Sequence, residues 1–250
     1  MKKTILILST IFFISCNKDA VISSAENNGS TIENILDAYD HDVLIYHSSH
    51  SYFATEGEMA SVNLKAWENG PTSKEVDLGD FYFDNSKVQI DGKRSNYISE
   101  SLDKNILNCL GKDVTVGFDG NKNLGFEPFT SNISIVKALK SDMAPKITRV
   151  DLTKDFTVSW VSENKEDDLA LYVIWYGDRK LQTPKRWLKM VKDNGTYSIP
   201  NSVIKDYNPG GKVKIQLIRF DYNSQKVGDK KILLLSTSTM DGLFKIATSN

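Results

Sequence analysis

From Val43 onward, apolar and β-branched residues arrive in short runs closed by turn residues, and this pattern restricts the fold more than any other feature of the chain. Runs of this length with alternating character read as strands. In the first half they cover residues 43–47, 59–67, 76–84, 87–91, 113–118 and 132–139. Asp91-Gly92 and Asp119-Gly120 supply tight turns, and Asn69-Gly70-Pro71 breaks the chain. A single stretch departs from the pattern. Leu102, Ile106, Cys109 and Leu110 repeat at helical spacing, which predicts a short helix near residue 105. Short strands at regular intervals with one small helix predict a β-sandwich over residues 38–143. The segment 141–146, which contains Pro145, marks its end.

The second half is more patterned. Phe156-Thr157-Val158-Ser159-Trp160 precedes an acidic turn at 163–168, then come runs at 169–176 and 196–199. Asn208-Pro209-Gly210-Gly211 opens a run at 212–220, and the last run covers 230–238. Over most of 147–240 this order resembles a fibronectin type III domain. The marks are Val158-x-Trp160 in the second strand, the alternating Tyr172, Ile174 and Tyr176 of the third, and the Pro209-Gly210 turn entering the sixth. Val213 stands where that family usually carries tyrosine. The resemblance implies a second β-sandwich over 144–250 with Trp160 in its core. The expected fold class is therefore all-β, with two immunoglobulin or fibronectin type III-like β-sandwich domains. Domains of this kind bind or space in many settings, so the fold by itself assigns no task.

Ahead of the strands lies a different kind of sequence. Lys2 and Lys3 precede an apolar run over residues 5–14, interrupted at Ser9 and Thr10 and ending at Ser15-Cys16. A basic start and an apolar run too short to span a bilayer make a secretory signal. Phe13-Ile14-Ser15-Cys16 resembles a bacterial lipobox, which implies removal of residues 1–15 and lipidation of Cys16. Its partner would then be a lipid bilayer, with the chain anchored in the outer membrane. Lys18-Asp19 is similar to a shortened charged tag that sends some such proteins to the cell surface. Residues 16–37 are mostly Asn, Ser, Ala, Glu and Gly, a composition that predicts a flexible tether reaching about 25 Å.

Charge and cysteine content narrow the function. With 31 basic and 32 acidic residues the net charge is −1 and no dense basic block occurs, so nucleic acid is not an expected partner. The only cysteines are Cys16 and Cys109, so packing rather than a disulfide must hold the fold. Cys109 has no adjacent cation to lower its pKa and reads as a small buried hydrophobe.

Candidate chemistry is sparse. His41, His47 and His50 cluster beside Asp40 and Asp42. On one strand His41 and His47 would share a face about 20 Å apart, too far to share a zinc ion, while His50 falls past the expected strand end. They read as solvated histidines, with no metal and no cofactor. No serine elbow, metalloprotease helix, phosphate loop or dinucleotide motif occurs, so no catalytic residue is assigned.

Aromatic residues give the one binding expectation. With Tyr172, Ile174 and Tyr176 inward, alternation turns Val173 and Trp175 outward. Trp187, on the next segment at 185–192, would lie alongside. Trp175 and Trp187 would then form a flat ligand-binding platform for a sugar ring or a protein partner. The alternative is that both rings pack on neighbouring structure. Tether, sandwich modules and aromatic platform together look like the accessory glycan-binding lipoproteins of starch-type uptake systems. The expected function is a non-catalytic envelope lipoprotein that binds or positions a glycan or a protein of an envelope complex. A surface hydrolase acting on polysaccharide and a structural spacer are the alternatives.

Overall fold

The computed structural model describes residues 41–53, 59–88, 97–98, 104–143, 149–176, 185–207 and 210–247. The expected signal at 1–15, Cys16, the tether at 16–37 and the Asp91-Gly92 turn lie outside them. The first half holds β1 (Val43–Tyr52), β2 (Met59–Ala66), β3 (Phe81–Phe83), β4 (Ser86–Lys87), β5 (Tyr97–Ile98), the short helix α1 (Lys104–Asn108), β6 (Asp113–Phe118) and β7 (Phe129–Ser134). The second holds β8 (Arg149–Val150), β9 (Phe156–Ser159), β10 (Asp168–Tyr176), β11 (Lys185–Lys192), β12 (Thr196–Ile199), the helical turn α2 (Asn201–Ile204), β13 (Lys212–Val227) and β14 (Lys230–Ile246). The fold is all-β, as the run pattern predicts.

Strands β13 and β14, 16 and 17 residues long, form one hairpin that runs through the whole protein. Both continue well past the expected ends at Phe220 and Ser238. Their turn is Gly228-Asp229, with Gly228 at φ 60, a left-handed conformation that costs glycine least. On its other side β14 pairs in parallel with β1, from Val43 opposite Ile232 to Tyr52 opposite Asp241. The resulting sheet has the order β11-β10-β13-β14-β1-β2-β5, with β8 pairing the end of β14. Two smaller sheets, β12-β9 and β4-β3-β6-β7, complete the fold.

The side chains of β14 explain how one sheet serves two cores. Residues at even positions share a face. Ile232 and Leu234 join Val43, Ile45, Val62, Leu64, Phe81, Val116 and Phe118 in the first core. Met240, Phe244 and Ile246 join Val158, Trp160, Leu171, Val173, Trp175 and Leu217 in the second. This is the inner face of the long sheet. The expectation was that 38–143 and 144–250 would each close its own sandwich. The first core also takes Ile232 and Leu234 from β14, because β1 finds its partner about 190 residues downstream, a pairing that no local pattern encodes.

Between the apolar stretches of β14 the inner face carries Ser236 and Ser238, both buried. The chain crosses here from the first core to the second. The Val136 N–H donates to Ser236 Oγ at 3.0 Å and the Leu139 N–H to Ser238 Oγ at 2.8 Å. Ser51 Oγ donates to the Leu139 carbonyl at 2.7 Å. An irregular, partly buried connector has backbone groups that need partners, and these serines supply them where two more leucines would not.

The same belt holds the charged centre of the protein. Arg219, opposite Ser238 on β13, pairs with Asp193 at 2.7 Å and donates to the Lys137 carbonyl at 3.1 Å. Asp193 also accepts from the Trp160 indole N–H at 2.6 Å. Burial alone would raise the Asp193 pKa, but the Trp160 and Arg219 donors outweigh it and hold the carboxyl below its ordinary value. These contacts tie β9, β13 and the turn after β11 together around one buried charge.

Candidate functional site

Trp175 and Trp187 lie on neighbouring strands and on one face of the sheet, as expected, but the face is the inner one. Trp175 is 2% exposed in the second core, and its ring stacks on Tyr207 with centroids 5.6 Å apart. Trp187 stands opposite Val173, half-buried, with Tyr197 at 6.5 Å. The expected outward platform at Trp175 is therefore corrected. Every residue from Leu169 to Trp175 is buried, so β10 is apolar on both faces and its alternation carries no sign of which face points inward.

The histidines also differ from expectation. His50 belongs to β1, which extends to Tyr52 because its pairing with β14 continues to Asp241. Three serines in that stretch argue against a strand locally, and the partner strand overrides them. His47 is fully buried, with its Nδ1 3.1 Å from Ser236 Oγ and its ring stacked on Phe83 at 6.4 Å. Burial pushes its pKa down to about 4, so it is neutral at pH 7. His41 is buried against Trp67, with ring centroids 5.6 Å apart. None of the three is a solvated loop histidine in the sense expected. Among the described residues no group of three or more His, Cys, Asp or Glu is placed to hold a metal ion. Cys109 is buried in the first core, where burial and then Asp84 push its thiol pKa up.

The outer face of the long sheet carries a cluster that the sequence reading missed. The described residues place no second sheet over this face. Across it, Tyr172 on β10, Gln216 on β13, Asp241 on β14 and Tyr52 on β1 stand in one row. Asp241 is the centre. Its Oδ1 accepts from His50 Nε2 at 3.2 Å, and its Oδ2 accepts from Lys214 Nζ at 2.6 Å and from Gln216 Nε2 at 3.4 Å. Burial works to raise the Asp241 pKa, and the His50 and Lys214 contacts reverse that, so its carboxyl stays ionised at neutral pH.

The cluster's edge is accessible. Tyr52 is 41% exposed, with its ring edge-on to His50 at 4.8 Å, and Leu243, two residues beyond Asp241 on the same face, is 55% exposed. Deeper in, the Tyr172 hydroxyl and Gln216 Oε1 are buried without a hydrogen-bond partner among the described residues. Burial raises the Tyr172 pKa, only partly countered by Arg186, and the phenol stays protonated.

Chemically, the site holds an oriented carboxylate, an ammonium, an imidazole and an exposed aromatic ring. An Asp–His pair needs a hydroxyl or thiol on the histidine to act in nucleophilic catalysis. Among the described residues no such group hydrogen-bonds His50, whose only such partner is Asp241. The one signal for the site in sequence is the polar alternation Thr237, Thr239, Asp241 on one face of an otherwise apolar strand.

No protein-family model matches the chain, and no curated protein is similar to it. Among the described residues no helix is long and apolar enough to cross a membrane.

Proposed function

We propose that this protein is a lipid-anchored component of a bacterial envelope, without catalysis of its own, that binds or positions a ligand outside the cytoplasm. The observation that carries the binding role is the outer-face patch, where exposed Tyr52 and Leu243 flank a buried, ion-paired Asp241. Exposed apolar residues beside a preorganised polar group are the usual makings of a contact site. The anchoring role rests on the basic, apolar and cysteine-terminated start of the chain. The fibronectin type III-like reading draws support from strand order, since β11-β10-β13-β14 and the pair β12-β9 enclose one core around Trp160.

Two measurements test the proposal. Cys16→Ser should move the protein out of the membrane fraction, and a variant that stays detergent-extractable there would refute lipid anchoring. A photo-crosslinking residue at position 52 should capture an envelope component in living cells, whereas one at Leu124, exposed between β6 and β7, should not. Equal capture at both positions, or none at 52, would refute the contact site.

A further inference from the structure

We infer that the outer-face patch around Tyr52, His50 and Lys214 is a subsite for one ring of a neutral glycan, with Asp241 as the residue that positions its donors and acceptors. This rests on the binding role proposed above and names its ligand class.

The argument begins with proton placement. A carboxylate can only accept, so the His50 Nε2 facing Asp241 Oδ1 carries the hydrogen. In a neutral imidazole the other nitrogen, Nδ1, is then an acceptor. Lys214 is a donor fixed on the second oxygen of the same carboxylate. Asp241 thus holds one acceptor and one donor side by side on the outer face of the sheet. Two adjacent sugar hydroxyls present the complement, one donating to His50 Nδ1 and the other accepting from Lys214.

Charge selects against ionic ligands. The Asp241 carboxylate and the Lys214 ammonium are paired with each other, so an anion meets the carboxylate and a cation meets the ammonium. A neutral polyol meets no such penalty. Tyr52 supplies the remaining element, since its exposed ring can cover the apolar face of a pyranose, and Leu243 extends that apolar edge beyond Lys214, its opposite residue on β13. Size decides between glycan and protein. A stable protein interface takes about 20–30 residues a side. Two exposed apolar side chains around one polar centre match a single sugar ring instead.

The test is affinity electrophoresis of the full-length chain in mild detergent. Native gels contain amylopectin, barley β-glucan, yeast mannan or xylan as neutral probes, and polygalacturonate or chitosan as charged ones. Retardation is expected with at least one neutral polymer and with neither charged one. Tyr52→Ala should weaken that retention about tenfold, as loss of one stacking ring does. His50→Ala should weaken it while Asp241 keeps Lys214, and Leu124→Ala should change nothing. Thermal melts of the Tyr52 and Leu124 variants should match the parent because both side chains are exposed. No retardation by any neutral polymer, or retardation by a charged one alone, overturns the ligand class. Neutral retardation unchanged in both the Tyr52 and His50 variants overturns the site. A protein adduct at position 52 without any retardation overturns the glycan while leaving the binding role in place.

Discussion

Acidification should destabilise this protein through His47. The imidazole is fully buried between the two cores, and its folded-state pKa of about 4 lies below the ordinary 6.5. As pH falls, the unfolded chain therefore takes up the proton first, and stability present above pH 6.5 is lost down through pH 4. At 1.36 kcal/mol per pKa unit, the linkage removes about 2.5 kcal/mol between pH 7.5 and pH 4.5. Among the described residues nothing nearby offsets this, because Ser236 and Phe83 are uncharged and the Arg219 charge is already matched by Asp193. His47→Asn keeps a polar group near Ser236 and cannot titrate in this range. Urea unfolding of both proteins at the two pH values isolates the residue, since every other group is common to them. The parent should lose about 2.5 kcal/mol more than the variant on acidification. Equal losses would mean that His47 is hydrated or charged in the native state and would refute the burial argument.

Three further outcomes follow from packing. Arg219→Met leaves Asp193 with a buried charge and no counter-ion, and should cost about 3–5 kcal/mol in urea unfolding, far more than the loss of a surface pair. Trp175→Ala opens a cavity beside Tyr207 and should cost about 3–5 kcal/mol while leaving glycan retention unchanged. An exposed, ligand-binding Trp175 would give the reverse pattern. Residues 147–250 expressed alone should bind an apolar dye and aggregate, since β14 would lose β1 and expose Ile232 and Leu234; a well-dispersed amide spectrum would show that this half stands by itself.

The local elements were legible in the sequence to the degree that their contrast was local. Strands β6 and β9 were visible as runs of apolar alternation, and Cys109 was readable as a core residue because it repeats at helical spacing with Leu102 and Ile106 and has no cation next to it in sequence. Strand β10 shows the limit, since a run apolar on both faces reveals a strand but hides its orientation, and Trp175 was turned outward for that reason. The second half of β1, with Ser48, Ser49 and Ser51, has no strand signal of its own and is extended by its partner. The outer-face cluster was out of reach for a similar reason. Tyr52, Lys214, Gln216 and Asp241 come from three separate stretches, and only the register of β1, β13 and β14 brings them into one place.

The serine interval in β14 has a consequence for the order in which this protein can be made. Its two apolar ends belong to different cores, and the first of those cores also needs Val43 and Ile45, which leave the ribosome some 190 residues before Ile232 and Leu234 do. A chain emerging from its amino terminus therefore carries β1 with one edge unpaired until β14 has been made. The edge of β1 that faces β14 must be kept from aggregating until that strand arrives.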